Sequence, residues 1–328
     1  MQKIYSSSQF CESCASNQIA LQAREAAGSI IMIRSAIFIY SLLLMISASA
    51  QKRMVTFATY TYATNDRLAN LRPLATYLSK STGLEVSAIS YPSVDALISA
   101  IAAGSVDIAM MNTSGYLILQ KDHPEAARPV VNLSMGKQQI TNYGGCIIAR
   151  KDAAIKDISQ LSTVKKGISF SLVSPSSTSG NLVPRLIMNS HGIPAPDSVF
   201  TISYSGTHRQ VVEDVIAGKA MIGGCGCAEI DSARARGTFD NTAILIASFN
   251  DIPLGPIVVK KDLDQRMRER LTNALLDVHE KDPAVFRNFL QGWTEFKSAS
   301  RFGRIDDSGY DSFRAMFGKN MQLWEMIK

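Results

Sequence analysis

The sequence predicts an α/β protein of two lobes, each a mostly parallel sheet flanked by helices, with two crossings between the lobes. Strand-like and helix-like runs alternate as β-α-β-α-β-α between residues 55 and 121, an order that packs helices on the faces of a parallel sheet. The alternation then restarts near residue 144. After a last strand-like run at Ile257-Val-Val259, the tail from Asp264 to Lys328 reads as mostly helical.

Val55-Thr-Phe-Ala-Thr-Tyr60 is the first predicted strand. Apolar residues at 71, 74, 75 and 78 give residues 70–81 a helical period, and Gly83 stops that helix. Leu84 to Tyr91 alternates as a strand. Residues 93–103 read as a helix with Ser93 as N-cap and Gly104 as its end. Val106 to Met111 is a strand, and Gly115 to Lys121 a short helix. In the second series the strands are 144–150, 166–173, 199–204, 220–223 and 243–247. The helices are a short turn at 157–161, then 181–190 and 207–217, the last two stopped by Gly192 and Gly218. The crossings are expected near 142–148 and 250–257. Lobe 1 is thus 51–145 plus 251–328, and lobe 2 is 146–250. Two lobes joined this way can hinge over a ligand that contacts both.

The chain has 328 residues, 46% of them hydrophobic and 19% charged, a globular composition. Its net charge of +6 is scattered and forms no basic run, so no nucleic-acid partner is expected. The first 50 residues differ from the rest. Met32-Ile-Arg34 precedes an apolar stretch, Ser35 to Ile46, and then Ser47-Ala-Ser-Ala50. That order is a basic n-region, an h-region too short for a comfortable membrane span, and a small-residue cleavage site. We therefore expect Met32 as the start, an upstream extension before it, cleavage after Ala50 and export to the periplasm. An uncleaved N-terminal membrane anchor is the alternative. Beyond residue 50 the cysteines are Cys146, Cys225 and Cys227, an odd count that makes no disulfide framework. A domain of this size needs none to build its core.

Ser174-Pro-Ser-Ser-Thr-Ser-Gly180 joins a strand to a helix. The first N–H groups of a helix have no internal partner, and the helix dipole adds partial positive charge there. Ser176, Ser177, Thr178 and Ser179 can add hydroxyl donors, and Gly180 removes a Cβ from the approach. Pro184 fits only in a first turn, which agrees with a helix starting near 180. The segment fits either a serine-rich cap on a surface loop or a seat for an oxyanion that needs no lysine or arginine. Tyr204-Ser-Gly-Thr-His208 repeats the strand–glycine–hydroxyl–helix order, with His208 in the first turn. There the helix N-terminus disfavours a protonated imidazole, whereas a bound dianion favours it. There is no nucleotide phosphate loop, no G-x-S-x-G elbow and no local histidine pair for a metal.

Taken together, Pro175-Ser-Ser-Thr-Ser-Gly180 and Tyr204-Ser-Gly-Thr-His208 resemble the phosphate/phosphite/phosphonate substrate-binding proteins of ABC transporters. Val211 to Ala220, Arg72 to Leu78 and Ala96 to Ala109 are similar to further signatures of that family, and the similarity spans roughly 54–300. The resemblance implies a type II periplasmic-binding-protein fold and a solute held in the interlobe cleft for delivery to a membrane permease. It implies an anion contacted by Ser176, Ser177, Thr178, Ser179, Gly180 and His208, with Tyr204 and Tyr62 or Tyr60 as walls. It also implies a monomer with neither catalytic residues nor cofactors nor metal. Two positions depart from the family. Met111 stands where an aromatic is expected, and Gly255 stands where members that hold a ligand amino group place a carboxylate. Glu229 and Asp251 are the substitutes for that carboxylate. Phosphate, phosphite or a short neutral-tailed phosphonate is the ligand these departures fit.

Two other functions fit the same fold: a sensory module for a membrane receptor or kinase, and an enzyme with Cys225 or Cys227 as a nucleophile activated by His208. The run Gly223-Gly-Cys-Gly-Cys227 also reads as a small-residue stretch where the backbone approaches something closely, and Cys146 as a buried thiol.

Overall fold

A computed structural model describes residues 54–62, 65–134, 143–164, 166–293 and 298–317. The expected leader at 1–50 lies outside them. Among the described residues no helix is long and apolar enough to cross a membrane.

Two sheets organise the chain. The first has six strands in the order β11-β4-β10-β3-β1-β2: β1 is Met54–Tyr60, β2 Glu85–Tyr91, β3 Ile108–Met110, β4 Ala127–Ser134, β10 Pro256–Lys260 and β11 Arg301–Arg304. The second has five in the order β7-β6-β8-β5-β9: β5 is Gly145–Arg150, β6 Ile168–Leu172, β7 Phe200–Tyr204, β8 Ile222–Gly226 and β9 Ala243–Phe249. In each, three neighbouring strands are parallel: β1 lies between β2 and β3, and β6 between β7 and β8. The returning strands run against them, with β10 antiparallel to β3 and β5 antiparallel to β8. The chain passes from the first sheet to the second between β4 and β5, and back between β9 and β10. The connections touch, since Ile252 N–H donates to the Tyr143 carbonyl at 3.3 Å.

The helices follow their caps. Asp66 accepts from Ala69 N–H at the start of α1, Arg67–Thr82, and Gly83 ends it in the left-handed region at φ 66°. Ser93 caps α2, Val94–Ala102, and Asn112 caps α3, Thr113–Asp122. In the second lobe α4 is Val183–Ser190 and α5 is His208–Ile216, capped by Thr207. Helix α6, Cys227–Ala235, follows β8 directly. Helices α7, Gln265–Lys281, and α8, Pro283–Gln291, pack on the first sheet through Leu271, Leu275, Phe286 and Phe289. A last short helix, α9, Asp311–Ala315, reaches back to the connections: Phe313 stacks on Phe249, and Tyr310 Oη donates to the Leu254 carbonyl at 2.8 Å.

Three elements depart from the sequence expectation. Strand β4 was not anticipated because Pro129 interrupts its alternation. The structure places Pro129 beside a register shift in β10, between Ile257 and Val258, an irregularity of the kind that tolerates proline within a sheet. Strand β11 is only four residues long and sits at the sheet edge within a tail expected to be helical. The helix expected over 181–190 begins earlier, as a wide turn at Thr178–Leu182 in which Leu182 N–H reaches the Ser177 carbonyl five residues back, at 3.0 Å. Such turns recur at functional sites. Pro184 then falls in the first turn of α4, where it is tolerated.

Cys146 is not a free thiol. It is bonded to Cys227 at an S–S distance of 2.00 Å, across 81 residues. The odd cysteine is Cys225, which is buried.

Candidate functional site

The carboxyl ends of the parallel strands in both sheets converge on one cavity, where ligands of open α/β sheets bind. Tyr60 and Tyr62 come from the end of β1, and Asn112 from the end of β3. Ser174 to Ser179 follow β6, and His208 follows β7. The cavity measures about 30 Å³, room for a solute of a few heavy atoms. Two wider grooves of about 440 and 590 Å³ lie elsewhere on the first lobe and are open to solvent.

The β6 side of the site is built by local hydrogen bonds. Ser177 caps the wide turn, its Oγ accepting from Gly180 N–H at 3.2 Å. Asn181 Nδ2 donates to the Pro175 carbonyl at 2.6 Å, and Arg185 Nε donates to Asn181 Oδ1 at 2.8 Å. Arg185 is itself ion-paired with Asp197. The neighbouring loop is tied on by Gly206 N–H, which donates to the Val173 carbonyl at 2.8 Å. Ser177, Thr178 and Ser179 are all buried.

Two bonds cross between the lobes at this point. Ser114 N–H, in the first turn of α3, donates to Thr178 Oγ1 at 3.0 Å, and Asn112 Nδ2 donates to the Ser176 carbonyl at 2.8 Å. The Tyr62 and His208 rings face each other across the same gap, 6.4 Å between centroids.

His208 is oriented by Gly226 N–H, which donates to its Nδ1 at 2.8 Å. An accepting Nδ1 carries no proton, so the neutral ring holds its proton on Nε2. Burial, with the positive charge of Arg67 adding to it, pushes the His208 pKa down from 6.5 to about 4. A folded pKa below the ordinary one means the protein is stabilised with the ring neutral. That contribution is complete above pH 6.5 and is lost as pH falls toward 4. The melting temperature of the unliganded protein should therefore fall more steeply between pH 6.5 and 4 than that of His208→Gln. Parallel curves for the two proteins would refute the assignment.

Of the residues singled out in the sequence, Ser176, Ser177, Thr178, Ser179, His208 and Tyr62 line the cavity, and Tyr60 joins them. Gly180 does not open the backbone to a ligand. A Cβ there would meet Val173 Cγ2 at 2.3 Å, so the glycine serves packing, and its N–H is taken by Ser177. Tyr204 is no wall. It ends the edge strand β7, is 46% exposed, and accepts from Arg185 Nη2 at 3.4 Å, away from the cavity. Glu229 is ion-paired with Arg236 at 2.9 Å, and neither it nor Asp251 lines the cavity. Gly255 has no room for a side chain, since a Cβ would lie 2.1 Å from the Met111 carbonyl oxygen.

Sequence reasoning missed Arg67, Asn112, Tyr143 and Ser174, all of which line the cavity. Arg67 corrects the expectation of a site without a basic residue. It is buried at the start of α1, with Nε donating to the Gly292 carbonyl at 2.9 Å. Its guanidinium carbon lies 4.5 Å from the Tyr60 ring centre, 4.7 Å from that of Tyr62 and 5.2 Å from that of Trp293. A cysteine nucleophile is not available. Cys227 is in the disulfide, and burial pushes the Cys225 thiol far above its ordinary pKa.

Residues 57–301, about three quarters of the chain, match the model of the family described as ABC transporter, phosphonate, periplasmic substrate-binding protein. The chain belongs to that family. Solved structures agree on the fold. A binding-protein component of an ABC phosphonate transporter from Pseudomonas aeruginosa superposes with a TM-score of 0.65 at 17% identity, covering 85% of this chain and 90% of its own. PhnD1 from Prochlorococcus marinus, in complex with methylphosphonate, gives 0.63 at 17% identity over 82% and 98%. The aliphatic sulphonate binding protein SsuA from Escherichia coli gives 0.56 at 10% identity over 83% and 87%. The architecture of this family member is thus the type II periplasmic-binding-protein fold.

Proposed function

We propose that this phosphonate-binding family member captures a small phosphorus oxyanion, either phosphite, phosphate or a phosphonate with a tail no larger than methyl, and presents it as a monomer to an ABC permease. The observation that carries the proposal is the convergence of donors from both lobes on one small cavity. Ser176, Ser177, Thr178 and Ser179 supply hydroxyls, His208 supplies Nε2–H, and Arg67 supplies a guanidinium. Each donor meets an anionic oxygen in a low-dielectric space, where charge-assisted hydrogen bonds are strongest. The tyrosine rings of Tyr60, Tyr62 and Tyr143 form the apolar part of the lining and suit a P–H or P–CH3 group. The family's delivery role and the methylphosphonate in PhnD1 support the same reading.

Size and charge exclude longer aminoalkyl tails. Gly255 leaves no space for the carboxylate that would receive an ammonium, and the charge of Arg67 is already in the cavity. A thermal-shift panel of phosphite, phosphate, methylphosphonate, 2-aminoethylphosphonate and sulfate tests this. A ligand that binds only the folded form raises the melting temperature by mass action. Phosphite or methylphosphonate is expected to give the largest rise, and 2-aminoethylphosphonate an affinity at least about tenfold weaker, as unmatched polar groups in a built site impose. No shift with any phosphorus oxyanion, or the largest with 2-aminoethylphosphonate, would overturn the proposal.

A further inference from the structure

The disulfide sits where three parts of the molecule meet. Cys146 is the second residue of β5, and its bonded partner Cys227 is the first residue of α6. Cys227 N–H donates at 3.0 Å to the carbonyl of Gly144, on the first connection between the lobes. Its sulfur, which carries no proton, lies 3.6 Å from Asn250 Oδ1 on the second connection. The residue before it, Gly226, is the donor to His208 Nδ1.

Little else fixes Gly226. Its pairing with Gly145 is the last rung of the β5–β8 ladder. Gly223 and Gly224, in the same strand, carry no side chains that could wedge it in place, and glycine gives a backbone more freedom than any other residue. As N-cap of α6, Gly226 offers no side chain to the helix start, which has no side-chain cap. The covalent bond one residue further on does the work of the missing cap. Cys225 stands opposite Cys146 in the ladder and could in principle exchange with it. Exchange requires a thiolate, and burial holds Cys225 as the thiol.

We propose that the Cys146–Cys227 disulfide is a positioning element of the anion site: it holds Gly226 N–H against His208 and thereby fixes the tautomer whose Nε2–H faces the ligand. The proposal rests on the reading of His208 as a ligand donor. It gives the bond a role in binding that is separate from its role in stability. It also links both interlobe connections to a donor in the cleft.

The test is a double-mutant cycle read with methylphosphonate by calorimetry, combined with the ring nitrogen shifts of His208 by NMR. Cys146→Ala/Cys227→Ala is expected to weaken binding about tenfold, within the range of couplings between residues that act through a shared contact. The same pair in a His208→Gln background is expected to add little. Parent protein should show an unprotonated Nδ1 and a protonated Nε2, and the cysteine variant a mixture of tautomers. A folded cysteine variant with parental affinity and unchanged ring shifts would overturn the positioning role. If that variant does not fold, the parent still decides, because an Nδ1–H tautomer in the oxidised protein refutes the proposal by itself. His208→Gln that binds methylphosphonate like the parent would instead refute the reading of the site.

Discussion

Arg67→Met is expected to raise the dissociation constant for methylphosphonate by about 10–100-fold. The guanidinium is the cation that the cavity lining presents to a bound anion, and it arrives there already positioned. Nε is fixed by the Gly292 carbonyl, and the planar group is held near the rings of Tyr60, Tyr62 and Trp293. A side chain immobilised before binding loses little entropy when the ligand arrives. Hydrogen bonds to charged groups contribute about 1.5–3 kcal/mol, which converts to the stated range. Methionine keeps an unbranched apolar stem among the same rings, so the change isolates the charge. Its removal also takes away one of the two causes that depress the His208 pKa, so that histidine should titrate higher in the variant. Isothermal titration on folded Arg67→Met checks the first outcome and an NMR pH titration the second. Parental affinity would remove Arg67 from the site.

The fold was legible because both sheets follow local rules. Each parallel strand carries an apolar run, and most helices begin at a side-chain cap and stop at a glycine or soon after. What escaped was set by distant partners. Pro129 argues against a strand in isolation, and only the irregularity in β10 makes room for it. The disulfide escaped for a similar reason. Counting three cysteines says one is left over, but not which. The register that sets Cys146 opposite Cys225, one residue short of Cys227, exists only once β5 lies beside β8.

The candidate site divides in the same way. Ser176 to Ser179 and His208 were visible because hydroxyls cluster at helix starts, where unpaired N–H groups create the chemistry locally. Their counterparts in the other lobe come from separate segments: Tyr60 and Tyr62 after β1, Arg67 at the head of α1, Asn112 after β3. A lone arginine behind an aspartate cap looks like any helix N-terminus. Only the sheet order brings it over the carboxyl ends of the strands. Tyr204 failed in the opposite sense. Its place in the motif was right, but β7 is an edge strand, and the ring runs toward Arg185.

Thr178→Val should weaken methylphosphonate binding by about 10–100-fold through the open–closed equilibrium as well as through the lost donor. In the closed form Thr178 Oγ1 accepts from Ser114 N–H, and both residues are buried. Valine matches threonine in shape but accepts no hydrogen bond, so closing would leave the Ser114 N–H without a partner. A buried unsatisfied donor costs about 1–3 kcal/mol, whereas in the open form water satisfies it. The equilibrium therefore moves toward opening by that amount, and the apparent affinity falls in proportion to the binding-competent fraction. The second bridge, from Asn112 to the Ser176 carbonyl, remains and keeps the closed geometry reachable. Solution scattering should show saturating methylphosphonate compacting the parent, and the valine variant needing proportionally more ligand for the same change. Thr178→Ser, which restores an acceptor and a donor, should recover most of the affinity. A valine variant that closes and binds like the parent would mean that the contact between Ser114 and Thr178 plays no part in capture.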